Sequence, residues 1–531
     1  MDALPFITAL SPQGEFQLPF QPGATLRDIL IAGGLGLRSA CAGNAVCGQC
    51  QVRVQESATI PVTSGEKRRL SPARLNAGWR LACQITPQIP LHISIKTLAP
   101  AQHWRALRDD EYSFIRQPPA LRPNVMRYGV AVDLGTTHIR LTLWDVRAGK
   151  RLAGRIGINP QASYGADILS RLTEAARSGQ VADAIAVLAT TAIAEALRDM
   201  ASALEINLHD IGEVVIVGNT AMMSLLSGKN TALLLNPDYW TQCFSIQPDD
   251  PALLNKAWAL SEQARIRFIT PLGGFIGSDL LAGIIATRLT EQPAGSLLID
   301  FGTNSEMALW DGKRLRLTAT AGGPAFEGCG ISCGMSAEAG AIYRLSSGHD
   351  QTFKLGVLGK AKAKGLCGSG LVDAVAWLRH QGKLDKLGRY PERANEGFVL
   401  SESGGRIVLK AADIDVFQRA KASIGAGVCW LCEQAELAVS DLDRVYACGA
   451  FGGLLDVSNA QAIGLLPPVP VEKVQLEANS ALAGCEELLL SAEAERLVAA
   501  VLAVAELYNM GEDSAFENLF VENLYLQAMQ T

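Results

Sequence analysis

The chain has 531 residues, 48% of them hydrophobic and only 19% charged, with 51 glycines and a formal net charge of −6. That length implies more than one domain with room for sizeable buried cores, and the mild acidity argues against a nucleic-acid binder. No uninterrupted apolar run reaches the roughly 18 residues a membrane span needs, so no membrane partner is expected.

Met1-Asp2-Ala3-Leu4-Pro5 shows no basic region or apolar core of a secretory leader, so the 12 cysteines are expected to stay reduced in the cytoplasm. Residues 6–10 and 15–20 flank Pro12-Gln13-Gly14 and predict a hairpin. Thr25 is placed to cap a short helix Leu26–Ala32 that ends at Gly33-Gly34. Three cysteines then fall within ten residues, Cys41-Ala-Gly-Asn-Ala-Val-Cys47-Gly-Gln-Cys50, and Cys83 follows after 32 more. The spacing C-x5-C-x2-C…C among small residues suits a [2Fe–2S] centre. Four thiolates wrap one cluster, and a loop of small residues lets backbone N–H groups approach the sulfides. A structural zinc site would pair two C-x2-C knuckles, and only Cys47/Cys50 forms one. A strand at 51–55, a helical turn at 71–80 delivering Cys83, and a strand at 91–95 complete the order of an α+β β-grasp ferredoxin. The five-residue first gap resembles vertebrate-type and related bacterial ferredoxins. Residues 1–98 are read as this domain, with Cys41, Cys47, Cys50 and Cys83 as metal ligands.

Residues 99–127 carry four prolines and mixed charge without periodicity and read as a semi-extended linker. Beyond it, Tyr128-Gly-Val-Ala-Val-Asp133-Leu-Gly135-Thr136-Thr137 is an apolar strand ending in an acid and a Gly-Thr-Thr turn. It recurs as Ser296-Leu-Leu-Ile-Asp300-Phe-Gly302-Thr303-Asn304-Ser305-Glu306, 167 residues on. Further strand-like runs follow each copy, at 139–145 and 307–310, so the repeat predicts two related subdomains. In such a turn glycine lets the backbone approach a phosphate and threonine donates to its oxygens. The strand-end carboxylate holds Mg²⁺ through water. A third strand and glycine turn, Arg444-Val-Tyr-Ala-Cys-Gly449-Ala-Phe-Gly452-Gly453, resembles the adenosine-binding turn of the acetate and sugar kinase/Hsp70/actin superfamily. Neither a Walker motif nor a G-x-G-x-x-G after a strand is present.

Six strings in order carry a narrower resemblance. They are Asn159-Pro-Gln-Ala-Ser-Tyr-Gly165-Ala-Asp167, Val217-Gly-Asn-Thr-Ala-Met-Met223, 298–306, Gly323-Pro-Ala-Phe-Glu-Gly328, Cys367-Gly-Ser-Gly-Leu371, and Gly449-Ala-Phe-Gly-Gly453 with Ile463-Gly-Leu-Leu-Pro467. Behind a ferredoxin, they resemble the reductive activators of corrinoid proteins, the ATP-dependent corrinoid reductases. The resemblance implies a ferredoxin followed by an α/β, two-lobed, actin-like (ribonuclease H-like, duplicated) ATPase at 128–531, with subdomains near 128–295 and 296–531. It implies a [2Fe–2S] cluster, ATP and Mg²⁺ as cofactors. The partners it implies are a corrinoid protein of a methyltransferase system, whose Co(II) is returned to Co(I), and an upstream reductase or ferredoxin; a homodimer stays open. Some relatives carry a further small domain where this chain has about 30 residues. The tail 508–531 holds no cysteine, so one cluster is expected. Two alternatives remain at this point: an ATP-driven electron injector for another low-potential acceptor, and a small-molecule kinase or ATP-gated module with a ferredoxin sensor.

Asp133 and Asp300 are the candidates for Mg²⁺ or water positioning, against a capping role at which Asp is equally at home, and Glu327 for orienting the attacking water. Gly135, Thr136, Thr137, Gly302, Thr303 and Asn304 are the candidate phosphate contacts, with Glu306 beside them, and Gly449, Gly452 and Gly453 the adenosine contacts. Cys429 and Cys432 share an apolar helix at 417–439 and read as core. Cys329 and Cys333 lack an evident third ligand, Cys367 reads as packing, and Cys243, Cys448 and Cys485 carry no motif. His138 reads as a strand residue, and Asp167 has no role derivable from sequence.

Overall fold

The computed structural model describes residues 5–20, 23–37, 41, 43, 45, 47–96, 104–108, 111, 120–122, 126–165, 167–348, 352–391, 397–402 and 405–530. The extreme N-terminus and the four linker prolines lie outside the described residues, apart from Pro5.

The N-terminal hairpin forms as its pattern predicts, from β1 (Phe6–Ser11) and β2 (Gly14–Pro19), and Gly14 takes the positive φ of +126° that the turn requires. Thr25 caps α1 (Leu26–Ala32), its hydroxyl accepting from Asp28 N at 3.2 Å. With β3 (Gln51–Val54), β4 (Trp79–Leu81) and β5 (Leu91–Ser94), the sheet runs β2-β1-β5-β3-β4, with β1 and β5 parallel. Leu26 and Leu30 of α1 bury against Ile7, Val52 and Ile93, the helix-across-sheet core of a β-grasp. Each such side chain contributes on the order of 1.5–3 kcal/mol when fully buried.

The 71–80 segment differs from its expectation. Helix is confined to Pro72–Asn76, capped by Ser71, and a second short helix, Ser64–Arg69, precedes it. Gly78 at φ +82° ends the helix, and Arg80 is drawn into β4 by Glu66, 2.8 Å away. Both side chains are at most 1% exposed, so the pair must be fully hydrogen-bonded to offset desolvation. Glu66 also accepts from Leu81 N at 3.0 Å and Thr63 N at 2.9 Å.

The duplication appears as two sheets of matching topology. The first lobe orders β11-β10-β7-β8-β9-β6, using β6 (Arg105–Ala106), β7 (Tyr128–Leu134), β8 (His138–Asp145), β9 (Lys150–Ile158), β10 (Ile211–Gly218) and β11 (Arg265–Phe268). The second has β12 (Ser296–Phe301), β13 (Ser305–Trp310), β14 (Leu315–Thr320), β15 (Arg444–Cys448), β16 (Val474–Glu477) and β17 (Ala505–Leu507), ordered β16-β15-β12-β13-β14-β17. In each, a three-strand antiparallel meander is extended by two parallel strands beside its first strand. Strands such as β7 and β12 are covered on both faces, which is why they read as continuous apolar runs.

The described part of the 99–127 connection is docked on the ATPase, against the first sheet and against the 479–492 segment of the second lobe. β6 pairs antiparallel with β9, and a Cβ built on Gly157 would stand 2.9 Å from the Trp104 ring. Arg122 ion-pairs with Glu213 at 3.1 Å, and the Glu111 carbonyl accepts from the Asn479 side chain.

In the first lobe, α2 (Ile168–Ala175) and α3 (Gly179–Ala203) pack on one sheet face. By length and composition α3 is apolar enough to cross a membrane, but Ile185, Ala189, Ile193 and Leu197 form a buried stripe against the sheet. α4 (Ser278–Thr287) and α6 (Ser480–Leu490) cross between the lobes, and the Cys485 thiol donates to Val132 O and Val215 O of the first sheet at 3.5 and 3.4 Å. A Cβ on Gly484 would overlap the Ala282 carbonyl oxygen, so the crossing needs glycine. α5 (Ala411–Gln434) starts six residues before the expected 417, where the Asp413 carboxylate accepts from Lys410 N at 2.9 Å. It stops before 439 because Glu436 turns to φ +55°.

Candidate functional site

The four N-terminal thiols gather in pairs. The Cys41 thiol donates to Cys47 Sγ at 3.2 Å, and Cys50 hydrogen-bonds Cys83. That shared bond pulls the Cys83 thiol down to about 7 and pushes the Cys50 thiol up. Gly43 and Gly48 take positive φ of +91° and +68° and bend the loop around the sulfurs. The Gln84 amide donates to Gly43 O at 3.1 Å and to Cys83 Sγ at 3.7 Å. Two thiol pairs, three of the sulfurs from one small-residue loop and the fourth from the turn Ala82–Gln84, fit a cluster in which each iron takes two cysteine sulfurs.

The second site lies between the lobes, where both Asp-x-Gly-Thr turns meet. Thr137 and Thr303 hydroxyls stand 3.4 Å apart, and both donate to the Glu327 carboxylate at 3.1–3.2 Å. Each turn is a hairpin, closed by Gly135 N to His138 O at 3.0 Å and Gly302 N to Asn304 O at 3.1 Å. Asn159, fully buried at the head of the Asn-Pro-Gln string, supports the first turn: its amide donates to Gly135 O at 2.9 Å. Asp133 accepts from Arg140 at 3.1 Å. Asp279 at the start of α4, Glu306, Asn219 and Gly449 complete the walls, and Asn479 and Ser480 close the floor at the start of α6.

Five carboxyl groups share this cleft, and burial raises all of them. Asp300 is pushed to about 6 by desolvation and by Asp133, and Asp279 to about 8 by desolvation, Asp300 and Asp133. Glu306 moves well above the usual range for the same reasons, and Asp133 moves up against the pull of Arg140. Burial also raises Glu327, although two threonine hydroxyls and the nearby arginines oppose it. Among the described residues, Asn304 Nδ2 and Ser480 Oγ are buried in this region without hydrogen-bond partners. Acids that need a cation, beside donors that need an acceptor, fit a divalent metal and an anionic polyphosphate.

Residues 10–88 match the family described as 2Fe-2S iron-sulfur cluster binding domain, 128–292 the RACo middle region, and 294–531 the C-terminal domain of RACo, the ASKHA domain. The chain is 30% identical over 421 residues to the corrinoid activation enzyme RamQ of Eubacterium limosum, covering 75% of this chain and 70% of that protein. It is 28% identical over 397 residues to the Co(II) methylated amine-specific corrinoid protein reductase of Methanosarcina barkeri, covering 68% of this chain and 70% of that one. A solved reductive activator for corrinoid, iron-sulfur protein matches with TM-score 0.68 and 25% identity over 99% of both chains. The chain belongs to the family of reductive activators of corrinoid proteins.

Most of the nucleotide-site candidates read from the sequence come together in one cleft. Asp133, Gly135, Thr136, Thr137, Asp300, Gly302, Thr303, Asn304, Glu327 and Gly449 all line the cleft. Gly452 and Gly453 do not line it; they pack against Ala447 and Ala478, and the expected glycine turn is the helical turn Gly449–Gly452. Asp167 caps α2, accepting from Ser170 N at 2.8 Å. His138 opens β8 at the cleft wall, and burial holds it down near 3, so it stays neutral. Cys429, Cys432, Cys367, Cys448 and Cys485 are buried packing thiols, whereas Cys329 and Cys243 are exposed. The sequence reading missed Asp279, Arg140 and Asn479. Asp279 had a usable signal, an acid two residues after Gly277 at the start of an apolar helix.

Proposed function

We propose that this chain uses ATP to return the inactive Co(II) of a corrinoid protein to Co(I), delivering one electron from its ferredoxin domain. The observation that carries the reading is the pairing of four cysteine sulfurs in a β-grasp domain docked on α2 of an ATPase whose interlobe cleft is lined by threonines and carboxylates. A [2Fe–2S] cluster held by Cys41, Cys47, Cys50 and Cys83 supplies the one-electron carrier. In the cleft, Asp300, Asp279 and Glu306 are suited to hold Mg²⁺ through its waters, and Thr137, Thr303 and Asn304 to donate to phosphate oxygens. Glu327 reaches both threonines and is placed to orient the attacking water once nucleotide displaces those contacts. The positive φ of Gly449, +86°, brings backbone close to Asp300 and leaves room for the ribose side of the nucleotide. ATP thus bridges two lobes that cross through α4 and α6, and closure on it favours the conformer that engages the corrinoid protein.

The test is anaerobic: reduced protein, MgATP and a Co(II) corrinoid protein, followed by the Co(I) absorbance band. The band should grow only with ATP. Its absence with the cognate partner, or its persistence after Cys47→Ala, overturns the proposal.

A further inference from the structure

Arg27, on α1 of the ferredoxin domain, lies against the cysteine loop. A Cβ built on Gly43 would stand 3.0 Å from Arg27 Nη1 and 3.7 Å from Cys83 Cβ. Arg27 Nη2 donates to Asp28 at 3.0 Å and to Glu174 at 2.6 Å. Glu174 belongs to α2 of the ATPase, so this is an ion pair between domains, and its side chains are only 1% and 6% exposed. Arg177 extends it, 2.9 Å from Glu174 and 3.6 Å from Asp28. Arg27 Nη1 is buried without a hydrogen-bond partner among the described residues. Leaving a buried donor unpaired is costly, and cluster sulfur is an anionic acceptor at that loop.

The other end of the contact leads to the nucleotide. Arg171, one turn before Glu174 on α2, donates to Gly165 O at 2.8 Å. Gly165 closes the turn Pro160–Tyr164, which begins at Asn159, and Asn159 donates to Gly135 O in the first phosphate turn. A short path of packed polar contacts therefore joins the cleft to the cysteine loop.

We propose that Arg27 and Glu174 form an electrostatic joint through which the seating of the ferredoxin domain on the ATPase sets the reduction potential of the cluster. This rests on the [2Fe–2S] reading of the four cysteines. Reduction adds one negative charge to the cluster, so the Arg27 guanidinium favours the reduced form and raises the potential. Glu174 offsets that charge while the domains are docked and holds the potential lower, which makes the seated domain the stronger donor. By linkage, reduction must change the strength of docking by the same free energy. Arg27 and Glu174 are positioning residues here; neither carries the electron.

The full-length, cluster-loaded chain is titrated anaerobically against mediators and followed by the electron paramagnetic resonance of the reduced cluster. Glu174→Gln should move the midpoint to a less negative potential, and Arg27→Gln to a more negative one. In the double variant, Glu174→Gln should shift the midpoint less than it does alone. Hydrogen exchange of the α1 amides should quicken in Glu174→Gln. If Arg27→Gln fails to load a cluster, Glu174→Gln decides the matter, because it lies on the other domain. A midpoint unmoved by Glu174→Gln overturns the joint whatever the exchange shows. A wild-type chain without the [2Fe–2S] signal would instead remove the cluster reading beneath it.

Discussion

Arg140 and Glu306 occupy the same place in the two duplicated hairpins, Arg140 directly across the ladder from Asp133 and Glu306 directly across from Asp300. The repeat is therefore symmetric in backbone and opposite in charge. On the first lobe the aspartate has a cationic partner 3.1 Å away; on the second it faces another acid, with Asp279 nearby. Directly opposed like charges are destabilising in a sheet, so the second lobe tolerates the pair by keeping protons or by holding a cation.

That asymmetry makes nucleotide-free stability depend on pH with a definite sign. Asp300 rises to about 6 and Asp279 to about 8 in the folded chain, against about 3.9 for an unperturbed aspartate. Below about pH 4 both states hold these protons and the difference vanishes. Above it the unfolded chain releases them first, so stability is lost as pH rises through the folded values. Thermal unfolding without nucleotide should therefore shift to lower temperature between about pH 5 and pH 8. Mg²⁺ should reverse the shift at the alkaline end, and Asp279→Asn should flatten it. A melting temperature that climbs over this range in the wild type would contradict the assignment.

Thr137 and Thr303 belong to different lobes yet donate to one carboxylate, Glu327. Glu327→Gln should keep the hydroxyl contacts while removing the charge proposed to orient water. Phosphate release is expected to fall about 10²-fold, within the range of a lost general base, with nucleotide affinity changed only a few-fold. Thr137→Val and Thr303→Val should each cost about 1 kcal/mol in stability but combine non-additively, since the hydroxyls share one acceptor. Strict additivity in a double-mutant cycle would show that the shared contact carries no coupling.

Much of this arrangement is legible in the sequence because its signals are local. The spacing of the first three cysteines, the Thr25 cap and the two Asp-x-Gly-Thr turns are each written within ten residues, and the register of β7 with β8 follows from the turn that joins them. Other features depend on distant chain. β6 is two residues long and takes its strand character from β9, about fifty residues on. Gly452 and Gly453 read as ligand-binding glycines from their spacing, and what the sequence did not show is their close packing against Ala447 and Ala478. The charge reversal at Arg140 and Glu306 hides because the turns differ in length, placing the partners seven and six residues after their aspartates.

The interlobe crossing offers a contrast between two glycines. A methyl at Gly484 would overlap the Ala282 carbonyl oxygen, a backbone atom that cannot swing aside. At Gly283 the same methyl meets Ser480 Oγ at 3.3 Å and its Cβ at 3.7 Å, close to ordinary contact. Gly484→Ala should destabilise by about 1–3 kcal/mol or more through overpacking. Gly283→Ala should be close to neutral, its small crowding offset by roughly 0.5–1 kcal/mol of helix propensity. Denaturant titration of both variants separates the cases, and equal loss at the two sites would argue against a crossing built on Gly484.

The buried thiols divide into ligands and packing, and iron content distinguishes them. Cys50 is 1% exposed and hydrogen-bonded to Cys83, and Cys432 is equally buried but sits in the last turn of α5. Burial pushes the Cys432 thiol up to about 12, so it stays protonated and unreactive. Cys50→Ala should abolish most of the iron, acid-labile sulfide and visible absorbance of the purified chain. Cys432→Ala should keep all three and cost about 1 kcal/mol of stability, typical of a truncated core side chain. Removing iron with a chelator should likewise quicken exchange in the cysteine loop and leave the cleft around Thr137 and Thr303 protected, since the two sites are held by separate cores. If Cys432→Ala lost iron in step with Cys50→Ala, α5 would have to contribute to a metal site, and the division drawn from the thiol pairing would fail.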